Sequence, residues 1–234
     1  MAHILNKETN NQALTILREH IETEKVLKKD ETLFKPGDPI EHLYIVLSGK
    51  VVISQPIMDG REFSLRLSKA GDLIGDSTLF SNHGQKHVLH AVAFRDCVIG
   101  CIHQQTLEKL MADHASLARS LMNEISENAL RDNMKLVDLV MHGRQGALFS
   151  TLIRLSNSYG VMKGDSILID LALTNQELAN FCGTTRESIN RLLRELRKEK
   201  IITVENKYIT IHDIDHLKEE LNCDTCPVTL CSIH

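Results

Sequence analysis

The spacing of apolar positions changes character three times along the chain. In residues 12–28, Leu14, Leu17, Ile21 and Lys25 fall on one stripe, which predicts a short amphipathic helix. From residue 31 to 103 the pattern shortens to alternating segments such as Leu43-Tyr44-Ile45-Val46-Leu47, Lys50-Val51-Val52-Ile53 and Phe63-Ser64-Leu65-Arg66-Leu67. Gly37, Gly49, Gly60 and Gly71 punctuate them every eleven or twelve residues, a rhythm that predicts a sandwich or jelly-roll barrel. Asp59-Gly60 is a hairpin-turn dipeptide. Residues 106–142 contain neither Pro nor Gly, so one long helix is expected. On it Ala118, Met122, Ile125, Ala129, Asp132, Leu136 and Leu139 recur at alternating spacings of four and three. That seam suits a parallel coiled-coil dimer, or a helix packed on its own barrel. Asp132 inside it costs stability, being either solvated or a device that tunes association.

Gly143 marks a hinge. Beyond it a helix is expected over 145–158 and a strand over 167–170. Residues 201–204 and 208–211 flank Glu205-Asn206-Lys207 as a two-stranded wing. Between strand and wing, residues 175–194 have the requirements of a helix-turn-helix: Ala179 where the helices cross, Gly183 at the turn and Ile189 inside the second helix. Leu178, Leu192 and Leu193 fill the interface. Thr174 precedes Glu177, and Thr184 precedes Glu187, at capping-box spacing. The second helix then presents Arg186, Glu187, Asn190 and Arg191 in its first turns, the part that enters a major groove. Arg grips guanine O6 and N7 in a bidentate pair, and Glu accepts from the cytosine amino group. The alternative is a capped surface helix with solvated charges.

The fold class is therefore α+β, a β-roll followed by a long helix and a winged helix-turn-helix. The expected divisions are 1–105, 106–143, 144–215 and a tail, 216–234. Net charge is −4 over the 234 residues, which does not by itself announce nucleic acid. Residues 144–210 nevertheless carry ten Lys and Arg against seven Asp and Glu, a basic reader on an acidic body. No apolar run approaches a membrane span and residues 1–11 have no apolar leader core, so a cytoplasmic protein is expected.

Six cysteines in a reducing compartment point to thiols or metal ligands before disulfides. Cys97 and Cys101 share one face of a strand and Cys182 sits in the reader's turn, which suits small buried hydrophobes. The tail differs. Cys223, Cys226 and Cys231 form Cys-x2-Cys-x4-Cys, and three thiolates so close can wrap one soft-metal centre. Zinc held as Cys3His with His234, or a thiol switch closing a disulfide, are the competing chemistries. An enzyme or electron carrier has only the cysteines in its favour, with no phosphate loop and no nucleophile motif, so no catalysis is expected.

Barrel, long helix and winged reader in this order resemble the cAMP receptor protein/Fnr (CRP/FNR) family of bacterial transcription regulators along essentially the whole chain. Gly71-Asp72-Leu73-Ile74-Gly75-Asp76 with Leu79-Phe80, and residues 173–193, carry the resemblance most specifically. It implies a homodimer on a palindromic double-stranded operator, with RNA polymerase as a partner. It also implies base reading by Arg186, Glu187, Asn190 and Arg191 of a TGTGA-like half-site, and phosphate contacts from Thr174, Gln176, Thr185 and Ser188. The family's cyclic-nucleotide pocket uses Gly-Glu and then Arg-Ser on the phosphate. Here Gly75-Asp76 is followed by His87-Val88, so cyclic AMP is not expected. The tail trio resembles the bacillus-type branch, in which three C-terminal cysteines and an Asp near the end of the long helix hold a [4Fe–4S] cluster. The matching carboxylate is Asp138, with Asp132 in reserve. The expected function is oxygen-responsive regulation, in which the cluster ties the tail to the long helix and its loss frees the tail and lowers operator affinity.

Overall fold

A computed structural model describes residues 12–57, 61–75, 79, 86–223, 227, 228 and 230–234. Residues 1–11, the Asp59-Gly60 turn, Asp76, Phe80 and Cys226 lie outside the described residues. The chain forms two compact units: Met1–Gln55 with Arg66–Asn128 and His234, and Pro56–Leu65 with Ala129–Ile233.

The first unit is built on a six-stranded sheet. Its strands are β1 (Thr23–Leu27), β2 (Thr32–Phe34), β3 (His42–Pro56), β4 (Glu62–Lys69), β5 (Leu73–Ile74) and β6 (His90–His103). The order is β1-β6-β3-β4, with β2 also on β6 and β5 also on β3. Two expectations are corrected. The helix α1 covers residues 12–19 only, and Thr23–Leu27 is a strand paired antiparallel with Cys97–Cys101. The apolar stripe on 12–28 holds through Leu17 and fails at Lys25, because β6 offers a ladder of hydrogen bonds that local periodicity does not reveal. The segments either side of Gly49 are one fifteen-residue strand with register shifts from Val46 to Val51. Gly49 has φ +81°, and a Cβ there would stand 2.1 Å from the Asp96 carbonyl oxygen. It bulges the strand without ending it. Leu33, Tyr44, Val51, Ile53, Cys97, Ile99 and Cys101 fill one core, so Cys97 and Cys101 are the buried small hydrophobes their spacing predicts.

The long helical stretch is two helices, α2 (Gln104–Asp113) and α3 (Ala115–Met141). His114 interrupts them at φ −127°, ψ 87°, a conformation outside the helical range, and its N–H caps the Leu110 carbonyl. Along α3, Leu117, Leu121, Asn128 and Lys135 face inward. Met122, Leu136, Val137, Val140 and Met141 are exposed.

In the second unit, Gly143 (φ +61°) opens α4 (Gly143–Tyr159), which leads to β7 (Gly160–Lys163) and β8 (Ser166–Ile169). The reader follows as α5 (Asn175–Phe181), α6 (Arg186–Lys198), β9 (Ile202–Glu205) and β10 (Tyr208–Ile211), and α7 (Ile214–Glu219) is the last regular element among the described residues. The wing is larger than its pattern predicts: four strands in the order β7-β8-β10-β9. The exposed β7, with Val161 and Met162 open to solvent, shows no inside–outside alternation and so gives no period-two signal.

Candidate nucleic-acid interface and C-terminal site

Two helix starts set the reader's geometry. Thr174 caps α5 with a complete capping box: its hydroxyl accepts from Glu177 N at 3.1 Å, and Glu177 Oε2 accepts from Thr174 N at 2.6 Å. The cap of α6 is Thr185, not Thr184. Thr185 Oγ1 accepts from Ser188 N at 3.3 Å, while Thr184 is buried and spends its N–H on the Ala179 carbonyl at 3.0 Å. Gly183 at φ +58° makes this tight turn, and the extra residue before the helix moves the cap by one. Ala179, Ile189, Leu192 and Leu193 are buried as expected.

Arg186, Glu187 and Arg191 emerge exposed from the first two turns of α6. Asn190 is half-buried, and its Oδ1 accepts a hydrogen bond from Asn175 Nδ2. Gln176 is exposed, with its amide on Asn180 Oδ1 at 2.9 Å. Ser188 is buried, and its hydroxyl accepts from Thr185 at 3.2 Å. Sequence reasoning missed Asn175, whose role appears only when α5 and α6 cross.

Beneath the reader lies a buried cation. Lys135 Nζ donates to the carbonyls of Ser64 (2.6 Å) and Leu65 (3.1 Å) and sits 5.0 and 5.2 Å from the ring centroids of Phe63 and Phe181. Burial pulls its pKa down to about 7, the Arg154 charge adding to the effect and the Cys182 and Asp132 groups opposing it. Cys182 Sγ donates to Thr151 Oγ1 at 3.4 Å, and burial pushes that thiol up to about 11. It is inert structure, as expected of the turn cysteine.

The tail runs along α4. Leu221 packs at its start, where a Cβ on Gly146 would come within 3.1 Å of the Leu221 side chain. Towards the other end, Asn157 Nδ2 donates to the Cys231 carbonyl at 2.7 Å, and Ser158 Oγ accepts from Ile233 N at 3.0 Å. Arg154, only 2% exposed, is the centre of the arrangement. Its Nη2 donates to Asp138 Oδ2 at 2.9 Å, its Nε to Ser150 Oγ at 3.1 Å, and its Nη1 to the Leu230 carbonyl at 3.3 Å. Ser150 Oγ donates to the same Asp138 oxygen at 2.5 Å. One guanidinium therefore joins Asp138 at the end of α3 to the peptide that enters Cys231. Cys223 and Cys231 are half-buried. In kind, thiolates with a carboxylate suit a soft-metal centre, and a buried guanidinium suits the net negative charge that four anionic donors bring. Among the described residues no three such donors are already gathered around one point.

In the barrel, His87 is buried and stacked on Phe34 (centroids 3.7 Å apart, planes at 9°), and neither ring nitrogen has a hydrogen-bond partner. Burial lowers its pKa, so the imidazole is neutral. Val88 is exposed.

Residues 24–114 match the cyclic nucleotide-binding domain, and residues 146–220 match the Crp-like helix-turn-helix domain. The chain is 39% identical to the anaerobic regulatory protein of Bacillus subtilis strain 168 over 93% of this chain and 91% of that one. It is 30% identical to the global nitrogen regulator of Nostoc sp. strain PCC 7120 over 80% and 84%. Among solved structures, the c-di-GMP-responsive global regulator of Xanthomonas campestris superposes with a TM-score of 0.76 at 22% identity, covering 87% of this chain and 99% of that one, a likeness of fold. No helix among the described residues is long and apolar enough to cross a membrane. A β-roll followed by helices and a winged reader with an open recognition face is thus matched along its length: this chain belongs to the CRP/FNR family, DNA-binding transcription regulators that are not enzymes.

Proposed function

We propose that this protein is an oxygen-responsive regulator acting in the cytoplasm. In this reading Cys223, Cys226, Cys231 and Asp138 hold a [4Fe–4S] cluster whose presence governs operator binding. The observation that carries it is the Arg154 bridge, which ties the peptide entering Cys231 to Asp138, the first choice of the two α3 carboxylates that the family resemblance offers. The relative in Bacillus subtilis is named an anaerobic regulatory protein, which agrees with an oxygen signal. When bound, the cluster supplies an oxygen-labile tie between tail and long helix. The chain's own residues do the rest. Asp138 and the tail are brought together by α4, and the buried Arg154 guanidinium compensates anionic donors beside it.

On DNA, Arg186, Glu187, Asn190 and Arg191 read a TGTGA-like half-site. Thr174, Gln176 and Thr185 set the register on phosphates, and Ser188 supports the cap of α6. Two copies joined along α3 place two readers on a palindrome, and RNA polymerase is the further partner. The neutral, stacked His87 supports a barrel that does not grip a cyclic nucleotide phosphate.

Protein purified without oxygen should be brown, hold about four irons and four sulfides per chain and bleach in air. Its affinity for a TGTGA palindrome should fall on bleaching. Asp138→Ala should lose iron, and it should also lower Tm, because Arg154 is left without its counter-charge. A colourless protein with one zinc, or equal operator affinity with and without iron, would refute this reading.

A further inference from the structure

The tail's last residues are held by side chains of α4. Arg154 and Asn157 take the carbonyls on the two sides of the Cys231 Cα, at 3.3 and 2.7 Å. Ser158 takes the Ile233 N–H at 3.0 Å, and Ile233 is buried at 1% exposure. Cys231 N donates to the Pro227 and Val228 carbonyls at 3.1 and 3.2 Å, so the turn leading into the cysteine is closed as well. All the α4 groups lie on one face, because positions 150, 154, 157 and 158 repeat at helical spacing. Arg154 is the member that cannot act alone. A guanidinium this deeply buried needs a counter-charge, and Asp138 provides it, with Ser150 fixing both.

We infer that Arg154 is a latch: paired with Asp138, it keeps residues 230–233 docked on α4 in the metal-free protein. Cys231 thus waits in place as a preorganised ligand. The inference deepens the cluster reading and rests on it only for the identity of the occupant. Its consequence alters the expected release of the whole tail. On loss of the metal, Cys231 remains docked, and the change is confined to the chain before Pro227 and to the partnership of Asp138. Preorganisation also removes part of the ordering cost of binding, so a protein stripped of metal is poised to rebuild its centre. Arg154 is a positioning residue in this scheme and touches no metal.

The test uses the full-length chain, reduced and treated with chelator, with the rate of N-ethylmaleimide labelling at each cysteine read by peptide mass spectrometry. Docking on α4 leaves Cys231 half-buried and restricts approach of the reagent, so it should react about threefold or more slower in the wild type than in Arg154→Gln. Asp138→Asn, which removes the counter-charge at constant shape, should give the same acceleration. Cys182, buried in the reader, reports folding: it should stay unreactive in every variant. Where it does not for Arg154→Gln, the Asp138→Asn and Asn157→Ala proteins decide. A wild-type Cys231 that labels as fast as in those variants overturns the latch. The two proposals fail separately. A colourless protein with a protected Cys231 removes the cluster and keeps the latch, whereas a brown protein whose stripped form leaves Cys231 unprotected does the reverse.

Discussion

At the scale of single residues, side chains here are assigned by what holds them. Arg186 is exposed at the start of α6 and supports no packing, so its replacement should leave the fold unchanged. Arg186→Ala should cost about 1–3 kcal/mol of discrimination at one G·C pair while leaving stability unchanged, read by competition binding against single-substituted operators. Loss of affinity equal across all sequences would reassign it to a phosphate. Lys135 is the opposite case. Its folded pKa of about 7 lies below the unfolded value, so between those values the unfolded chain binds more protons and stability rises with pH. Below about pH 7 both states are charged and the full penalty for burying the ammonium is present. Lys135→Met should flatten that rise, whose slope is at most ~1.4 kcal/mol per pH unit, and should match or exceed the wild type in stability near pH 6. Urea unfolding at a series of pH values measures it; parallel curves for the two proteins would show that Lys135 keeps its proton.

Among elements, the reader helices owe their positions to their first turns. Thr185→Ala removes the hydroxyl that accepts from Ser188 N and should destabilise by about 1 kcal/mol, whereas Thr184→Ala should act through packing and leave the start of α6 intact. Thermal unfolding with amide exchange at Ser188 separates the two. Spacing placed that cap at Thr184, because Thr184 and Glu187 satisfy the capping-box pattern. The tight turn at Gly183 shifts the helix start by one, a consequence of how α5 and α6 cross. The complete capping box at Thr174, by contrast, was legible outright, since both of its hydrogen bonds span three residues.

For the whole molecule, we propose that the exposed α3 face carries dimer assembly. Met122, Leu136, Val140 and Met141 offer apolar surface that the chain itself does not cover, on the side away from Leu117, Leu121 and Lys135. Met122→Asp with Leu136→Asp should shift sedimentation from dimer to monomer and weaken palindrome binding at least about tenfold, because one reader then binds one half-site. Helicity and Tm should hold. A variant that remains dimeric would place the interface elsewhere.

Features that depend on neighbours three or four residues apart could be read along the chain: the helix-turn-helix with its Ala179, Gly183 and Ile189, and the buried Cys97 and Cys101. Their hydrogen bonds and periodicities close locally, so composition and spacing carry them. Long-range pairing settled the rest. Thr23–Leu27 became a strand because β6 was beside it, β3 ran through Gly49 because Asp96 and Cys97 pressed against a bulge, and β7 joined the wing without an amphipathic signal. Arg154 had no marker at all. It reads as one more polar residue of an amphipathic helix until the fold sets Asp138, sixteen positions earlier, and Leu230, seventy-six positions later, against the same guanidinium. Burial of that charge, and the need to pair it, arises only when segments distant in sequence meet in a space that excludes water.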